Sequence, residues 1–211
     1  MTMDTSLGAE RTGLLVIDMQ HGFVHEKGSM AQLGFDYKAL AEAVPGCEKL
    51  VAGARSVGVP VFFTRYVYEP DFRDGGVQIN DILPGLKEVN LCVAGTWDAE
   101  ITQSLQPLKG EIVIEKNRPS SFYATRLEVY LRSQRINRLV LCGVTTNICV
   151  ETTARDAAQR DYRTFVVRDA VGEVDPFRHE VALKALEHMF AKIVSVDDVL
   201  QSWGVNQDNA A

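Results

Sequence analysis

Six short apolar runs separated by longer amphipathic stretches constrain this chain more than any other feature. They are GLLVI (13–17), VPVFFT (59–64), EIVIE (111–115), RLVLCG (138–143), RTFVVR (163–168) and a shorter run at 191–196. Runs of this length, apolar on both faces and spaced by helical patterns, mark parallel strands covered on each side by crossover helices. The expected fold is therefore α/β: three layers, α/β/α, around a central six-stranded, mostly parallel sheet.

Local signals fill in the helices. Pro45 near a start and Gly58 just past an end bracket a helix whose Leu50, Val51 and Ala54 face inward. The stretch 28–43 is expected to be irregular, and 125–133 reads as a helix with a blurred apolar face. Val181, Ala182, Ala185, Leu186, Met189 and Phe190 form a helical stripe that covers one face of the sheet. Segment 69–106 carries Pro70, Gly75, Gly76, Pro84, Gly85 and Gly95 with little periodicity, and reads as a long lid-like loop with short helices. With no internal repeat, 1–211 is expected to be a single domain with a flexible tail at 1–11.

Composition removes several classes of function. Lys and Arg number 22 against 28 Asp and Glu, and the formal charge of -6 comes with no basic run, which argues against nucleic acid and anionic lipid as partners. No apolar stretch approaches the roughly twenty residues that span a bilayer. The start, MTMDTSLGAER, lacks the basic and apolar regions of a secretion signal, so the expected location is cytoplasmic. Cys47, Cys92, Cys142 and Cys149 are far apart without a CxxC, and reduced thiols are expected rather than a disulfide framework or zinc knuckle.

Open α/β sheets bind ligands at the carboxyl ends of their strands. Asp18 follows the first run, Lys116 the third, and after the fourth comes VTTNIC (144–149) at the start of a helix of small and polar residues. Taken singly, these read as a turn cap, a snorkelling surface lysine and a small buried thiol. Together they make a nucleophilic site. A thiol in the first turn of a helix beside an ammonium is expected to be drawn toward thiolate, with a carboxylate to take its proton.

Three segments, LLVIDMQHGF (14–23), EKNRPSSF (115–122) and GVTTNICVETTARDA (143–157), carry a resemblance to the isochorismatase-like cysteine hydrolase superfamily over nearly the whole chain. Within it, GTWDAEI (95–101), KNRPSSF and VSVDDV (194–199) look like the ureidoacrylate and N-carbamoyl amidohydrolases. The resemblance implies a Rossmann-like isochorismatase-type fold and a triad of Asp18, Lys116 and Cys149. It also implies an oxyanion hole of the Thr145 and Cys149 backbone N–H groups, and a cis peptide between Val144 and Thr145. The implied activity is cysteine-dependent hydrolysis of a C–N bond in a small amide, ureido or N-carbamoyl substrate through a thioester-type intermediate, without a cofactor, in a homodimer or homotetramer.

Phe23, Trp97 and Phe122 are candidate aromatic walls, and Arg118 and Asn147 candidate partners for a substrate carboxylate or amide. Arg155 and Asp156 read as an ion pair or a subunit contact. His21 and His25 stand four apart, but Gly22 between them favours a loop. The region TRYVYEPDF also lacks the histidine that nicotinamidases of the superfamily use, so no metal is expected. Serine-hydrolase, dinucleotide and P-loop patterns do not occur. Two alternatives stay open. One is a non-catalytic or redox-sensing relative in which Cys149 is oxidised, for which Cys142 in a buried strand is a poor resolving thiol. The other, disfavoured by Cys149 itself, is vinyl ether hydrolysis of the isochorismatase type.

Overall fold

In the computed structural model, which describes residues 7–205, each apolar run is a strand. These are β1 (Thr12–Ile17), β2 (Val61–Tyr66), β3 (Ile112–Lys116), β4 (Arg138–Val144), β5 (Arg163–Gly172) and β6 (Lys192–Val194). All pairings are parallel, in the order β3-β2-β1-β4-β5-β6, which puts a switch in strand order between β1 and β4. Every residue of β1 and of β4 is buried, which is why their sequences are continuous apolar runs. At the edge, β3 alternates buried and exposed positions.

The connections hold nine helices among the described residues: α1 (His21–Val24), α2 (Ser29–Gln32), α3 (Tyr37–Ala41), α4 (Val44–Val57), α5 (Gly85–Glu88), α6 (Leu127–Ser133), α7 (Glu151–Gln159), α8 (Pro176–Met189) and α9 (Val196–Ser202). Pro45 lies in the first turn of α4 and Gly58 closes it in the left-handed region (φ 73°), with Leu50, Val51 and Ala54 buried as the pattern requires. The VSVDDV signature is a helix start. Ser195 and Asp198 cap α9 reciprocally.

Three local expectations change. The stretch 28–43 is not irregular but holds α2 and α3, the latter capped by the Asp36 carboxylate on Lys38 and Ala39 N–H. The stripe on α8 is shifted by one position. Ala182, Leu183 and Leu186 are buried, while Val181 and Met189 point outward, because the helix starts at Pro176 behind an Asp175 cap and its phase follows the sheet. Helix α6 starts two residues later than its pattern suggests.

Residues 1–6 of the expected flexible tail lie outside the described residues. Residues 8, 10 and 11 accept bonds from Thr12 Oγ1, Arg138 Nη1 and the Asn137 N–H respectively. The 69–106 segment contains α5 and several single turns. Ile79, Leu91, Cys92, Ala99, Ile101 and Leu105 anchor it in the core.

Candidate active site

Asp18 ends β1, Lys116 ends β3, and Cys149 follows β4, so the topology brings all three to the carboxyl edge of the sheet at the switch point. At Asp18 the backbone is left-handed (φ 53°) and turns the chain out of the sheet, a conformation Asp tolerates better than most residues. Its carboxylate is completely buried and held at both oxygens. Thr64 Oγ1 on β2 donates to Oδ1 at 2.5 Å, and Lys116 Nζ donates to Oδ2 at 2.5 Å. Thr64 Oγ1 in turn accepts the Asp18 N–H at 3.1 Å.

Lys116 reaches this carboxylate from two strands away. One strand separates β3 from β1, a distance of about 9.6 Å at the usual spacing, so only a long side chain closes it. It crosses β2 at Tyr66, its register partner, with Nζ 4.3 Å from the ring centroid. Besides Asp18, Nζ donates to the Arg118 carbonyl at 3.3 Å and to Cys149 Sγ at 3.4 Å. Three donors thus have three acceptors, and the Tyr66 ring covers another side of the cation. Burial lowers the pKa of this lysine, but the Asp18 charge and the Cys149 sulfur outweigh it and hold the group above the ordinary lysine value. It is an ammonium at neutral pH.

Cys149 sits in a wide π-type turn, Thr146–Val150, that runs straight into α7. The end of β4 prepares this turn. Gly143 (φ 114°) lies so close to β1 that a Cβ there would stand 2.0 Å from the Ile17 carbonyl oxygen, and only glycine permits the approach. The following peptide, Val144–Thr145, is cis. Thr146 Oγ1 donates to the Gly172 carbonyl at 3.0 Å, which makes His179 Nδ1, also at 3.0 Å, the donor to the same hydroxyl. The buried Glu173 carboxylate accepts the Asn147 N–H at 3.3 Å.

Burial is the largest influence on the thiol and raises it. Lys116 opposes burial, Asp18 reinforces it as charge and hydrogen-bond partner, and the net result is a pKa pushed up to about 12. This corrects the expectation of a thiolate. Dryness outweighs the lysine at this sulfur and favours the neutral thiol.

The remaining candidates divide. Trp97 is 42% exposed and lies face to face on His21 (centroids 4.3 Å, 7°), with His25 edge-on at 4.9 Å. His21 therefore opens the single helical turn α1 rather than lying in a loop. Burial and then His25 hold its pKa below the ordinary value, against Glu100 and Asp98. Phe23 is buried in α1.

Phe122 does not join the triad. It packs on Tyr162 under the Arg160 guanidinium, toward the C-terminal end of α7, whereas Cys149 precedes the N-terminal end. Arg118 ties β3 to the lid segment, donating from Nη1 to the carbonyls of Asp74 (3.0 Å) and Asn117 (2.6 Å). Asn147 Oδ1 and Thr145 Oγ1 are buried without a hydrogen-bond partner. Arg155 and Asp156 do not pair with each other but with Glu151 and Arg160, one helical turn away.

Sequence reasoning missed Thr64, Gln20, Tyr66, Glu173 and Asp98. Of these only Thr64 carries a local signal, a polar residue closing an apolar run. Asp98 accepts from the Ser29 N–H (2.9 Å), the Ser29 hydroxyl (2.7 Å) and the Cys92 N–H (2.8 Å), so it joins the lid segment to α2. A cavity of about 270 Å³ between the ends of β2 and β3, lined by Tyr68, Glu69, Asp74, Asn117 and Tyr123, reaches Lys116. Among the described residues no group of three or more His, Cys, Asp or Glu is placed to hold a metal ion.

Residues 12–198 match the isochorismatase domain family. The ureidoacrylate amidohydrolase of Serratia proteamaculans is 32% identical over 200 residues, which cover 89% of this chain and 81% of that protein. A cysteine hydrolase structure from Pseudomonas syringae pv. phaseolicola superposes with a TM-score of 0.83 at 26% identity and covers 92% of each chain. The structure of N-carbamoylsarcosine amidase from Thermoplasma acidophilum gives 0.71 at 28%, over 88% of this chain and 96% of that one. The family match over residues 12–198, the sequence identity and the superposition all span most of the chain, and the chain belongs to the isochorismatase family of hydrolases.

Proposed function

We propose that this hydrolase is a cysteine amidohydrolase that cleaves a C–N bond in a small ureido or N-carbamoyl acid, with ureidoacrylate as the first candidate substrate. The observation that carries this reading is the closed contact of base, cation and thiol: Lys116 Nζ lies 2.5 Å from Asp18 Oδ2 and 3.4 Å from Cys149 Sγ, in a site with no exposed side chain among the first two. The named relatives support the substrate class.

A thiol this buried carries almost no standing thiolate, so its proton moves to Asp18 as the sulfur attacks the carbonyl carbon. Lys116 faces the sulfur as charge develops there and stabilises it most at that moment. The Thr145 and Cys149 N–H groups receive the oxyanion. When the intermediate collapses, the C–N bond breaks and the Asp18 proton leaves with the nitrogen, as ammonia or an amine. Water then gives a proton to Asp18 and attacks the acyl carbon, the C–S bond breaks, and that proton returns to the sulfur. Arg118, fixed to the lid segment, and the unpaired Asn147 Oδ1 are the groups proposed to orient the polar ends of the substrate.

The test is ammonia release from ureidoacrylate, N-carbamoyl acids and simple amides by wild type and Cys149→Ala. Release that falls by about 10⁴-fold or more in the variant, with its melting temperature retained, is the expected result. Hydrolysis that survives the substitution overturns the nucleophile assignment. Peroxide-driven oxidation of Cys149 in a protein that hydrolyses nothing on the panel favours the sensor alternative.

A further inference from the structure

Where β1 leaves the sheet, a side chain continues its hydrogen bonding. Strands β1 and β2 pair through Val16 opposite Phe63, and two residues later the left-handed turn at Asp18 carries the chain away. Tyr66, three residues further along β2, is met instead by the carboxamide of Gln20. Gln20 Oε1 accepts the Tyr66 N–H at 2.6 Å, and Nε2 donates to the Tyr66 carbonyl at 2.8 Å and to the Ala99 carbonyl at 2.9 Å. The side chain is completely buried, and with an N–H facing one end of the amide and two carbonyls the other, its orientation is fixed.

Tyr66 is the residue that Lys116 crosses. Its backbone is clamped by Gln20. At the far end of the ring its hydroxyl donates to Gln78 Oε1 at 3.0 Å and accepts from the Tyr68 hydroxyl at 3.2 Å. Held at both ends, the ring sets the surface 4.3 Å below Nζ. The ammonium has its three hydrogens committed to Asp18, Arg118 and Cys149, so a tilt of the ring shifts the whole set.

We propose that Gln20 is a positioning residue for the reaction: by replacing a β1 peptide at Tyr66, it fixes the ring over which Lys116 crosses from β3 to Asp18 and Cys149. The proposal rests on the cysteine hydrolase reading above. A glutamine that only satisfied buried backbone groups would affect stability alone. A positioning glutamine also affects the ammonium, and hence the sulfur. The titratable groups facing that sulfur are Asp18 of β1, Tyr66 of β2, Tyr68 just beyond it and Lys116 of β3.

The experiment compares Gln20→Met, Gln20→Glu, Tyr66→Leu and the double variant Gln20→Met/Tyr66→Leu by two readouts. One is kcat and KM for ammonia release from ureidoacrylate. The other is the pH profile of Cys149 alkylation by iodoacetamide, which needs no substrate. The expected result is a kcat lowered about tenfold or more in each single variant with KM within about threefold, alkylation displaced to higher pH, and a double variant no worse than Tyr66→Leu alone. Wild-type kcat and alkylation with only a lower melting temperature would overturn the proposal, and so would losses that multiply in the double variant. If Gln20→Met does not fold, Gln20→Glu keeps the shape and the acceptor for the Tyr66 N–H and decides in its place. A wild type that leaves ureidoacrylate intact counts against the proposed substrate, while the alkylation arm still decides the role of Gln20.

Discussion

The strand-edge half of the site is sealed, and each polar group there is bonded to the next: Thr64 to Asp18, Asp18 to Lys116, Lys116 to Cys149. The ring cluster of His21, Trp97 and His25, with Trp97 the proposed wall, is partly open and stacks ring on ring, and Asp98 next to Trp97 joins the lid segment to α2. The difference follows from what each half has to do. Charges that move a proton act strongly only where water is absent, and once dried they must be paired. The role proposed for the ring cluster, to read substrate shape, needs contact area, and its residues sit on connecting segments that change without disturbing the sheet.

The largest effect expected from breaking this contrast comes from Lys116→Met. It leaves the Asp18 carboxylate buried without its cation, at a cost of about 3–5 kcal/mol in stability, and removes the charge facing the sulfur. Denaturant titration and ammonia release should both show severe losses. The double variant Asp18→Asn/Lys116→Met should recover most of the stability and none of the activity. Recovery of activity would mean that the pair serves only the fold.

A second test asks which influence dominates in the sealed half. With the thiol pushed up to about 12 by burial, the reactive thiolate grows in only at high pH. Alkylation of Cys149 in wild type should therefore keep rising through pH 10 and 11, where an ordinary thiol has levelled off near 9. A plateau near pH 7 would show that Lys116 outweighs burial and that a thiolate stands ready before substrate arrives.

The two halves also differ in how much of them the sequence displays. Asp18 and Lys116 are legible because each directly follows an apolar run, and Cys149 because it stands in the polar turn VTTNIC that follows another; a strand end is a local property. Their partners are not. Thr64 and Gln20 meet Asp18 and Tyr66 across 46 residues of chain, and Lys116 meets Asp18 across 98, contacts that exist only once strand order places β2 between β1 and β3.

Trp97 is visible as an aromatic in a loop, but its stacking on His21 depends on Asp98 joining two distant segments. The phase of α8 is not legible for a related reason. A stripe two residues wide fits two neighbouring faces, and packing on the sheet selects one of them.

Asp98→Ala is the corresponding break in the wall, with a smaller expected effect. It removes an acceptor of three hydrogen bonds and frees the space beside Gly22, where a Cβ would now lie 2.5 Å from the carboxylate oxygen. A stability loss of about 2–3 kcal/mol is expected, with KM for the acid substrate raised and the alkylation profile of Cys149 kept. A displaced profile would show that wall and triad are one mechanical unit.

The smallest effect concerns acid. His21 titrates below its ordinary value of 6.5 because burial and His25 both disfavour its charged form, so between its folded value and 6.5 the unfolded chain binds more protons than the fold. The neutral ring's contribution to stability is therefore complete above 6.5, is lost as pH falls below it, and levels off under the folded value. In the wall, protonation of the folded ring, which comes only as pH falls through its lowered value, loosens the stack on Trp97. KM should rise and tryptophan emission should change as pH falls through that lowered value, while the strand-edge half, whose thiol titrates far higher, does not respond. His21→Gln, which cannot titrate, should flatten both curves. If the acid rise in KM persists in that variant, the source lies elsewhere in the wall, and the division between a charged, sealed half and a titrating, open half has to be redrawn.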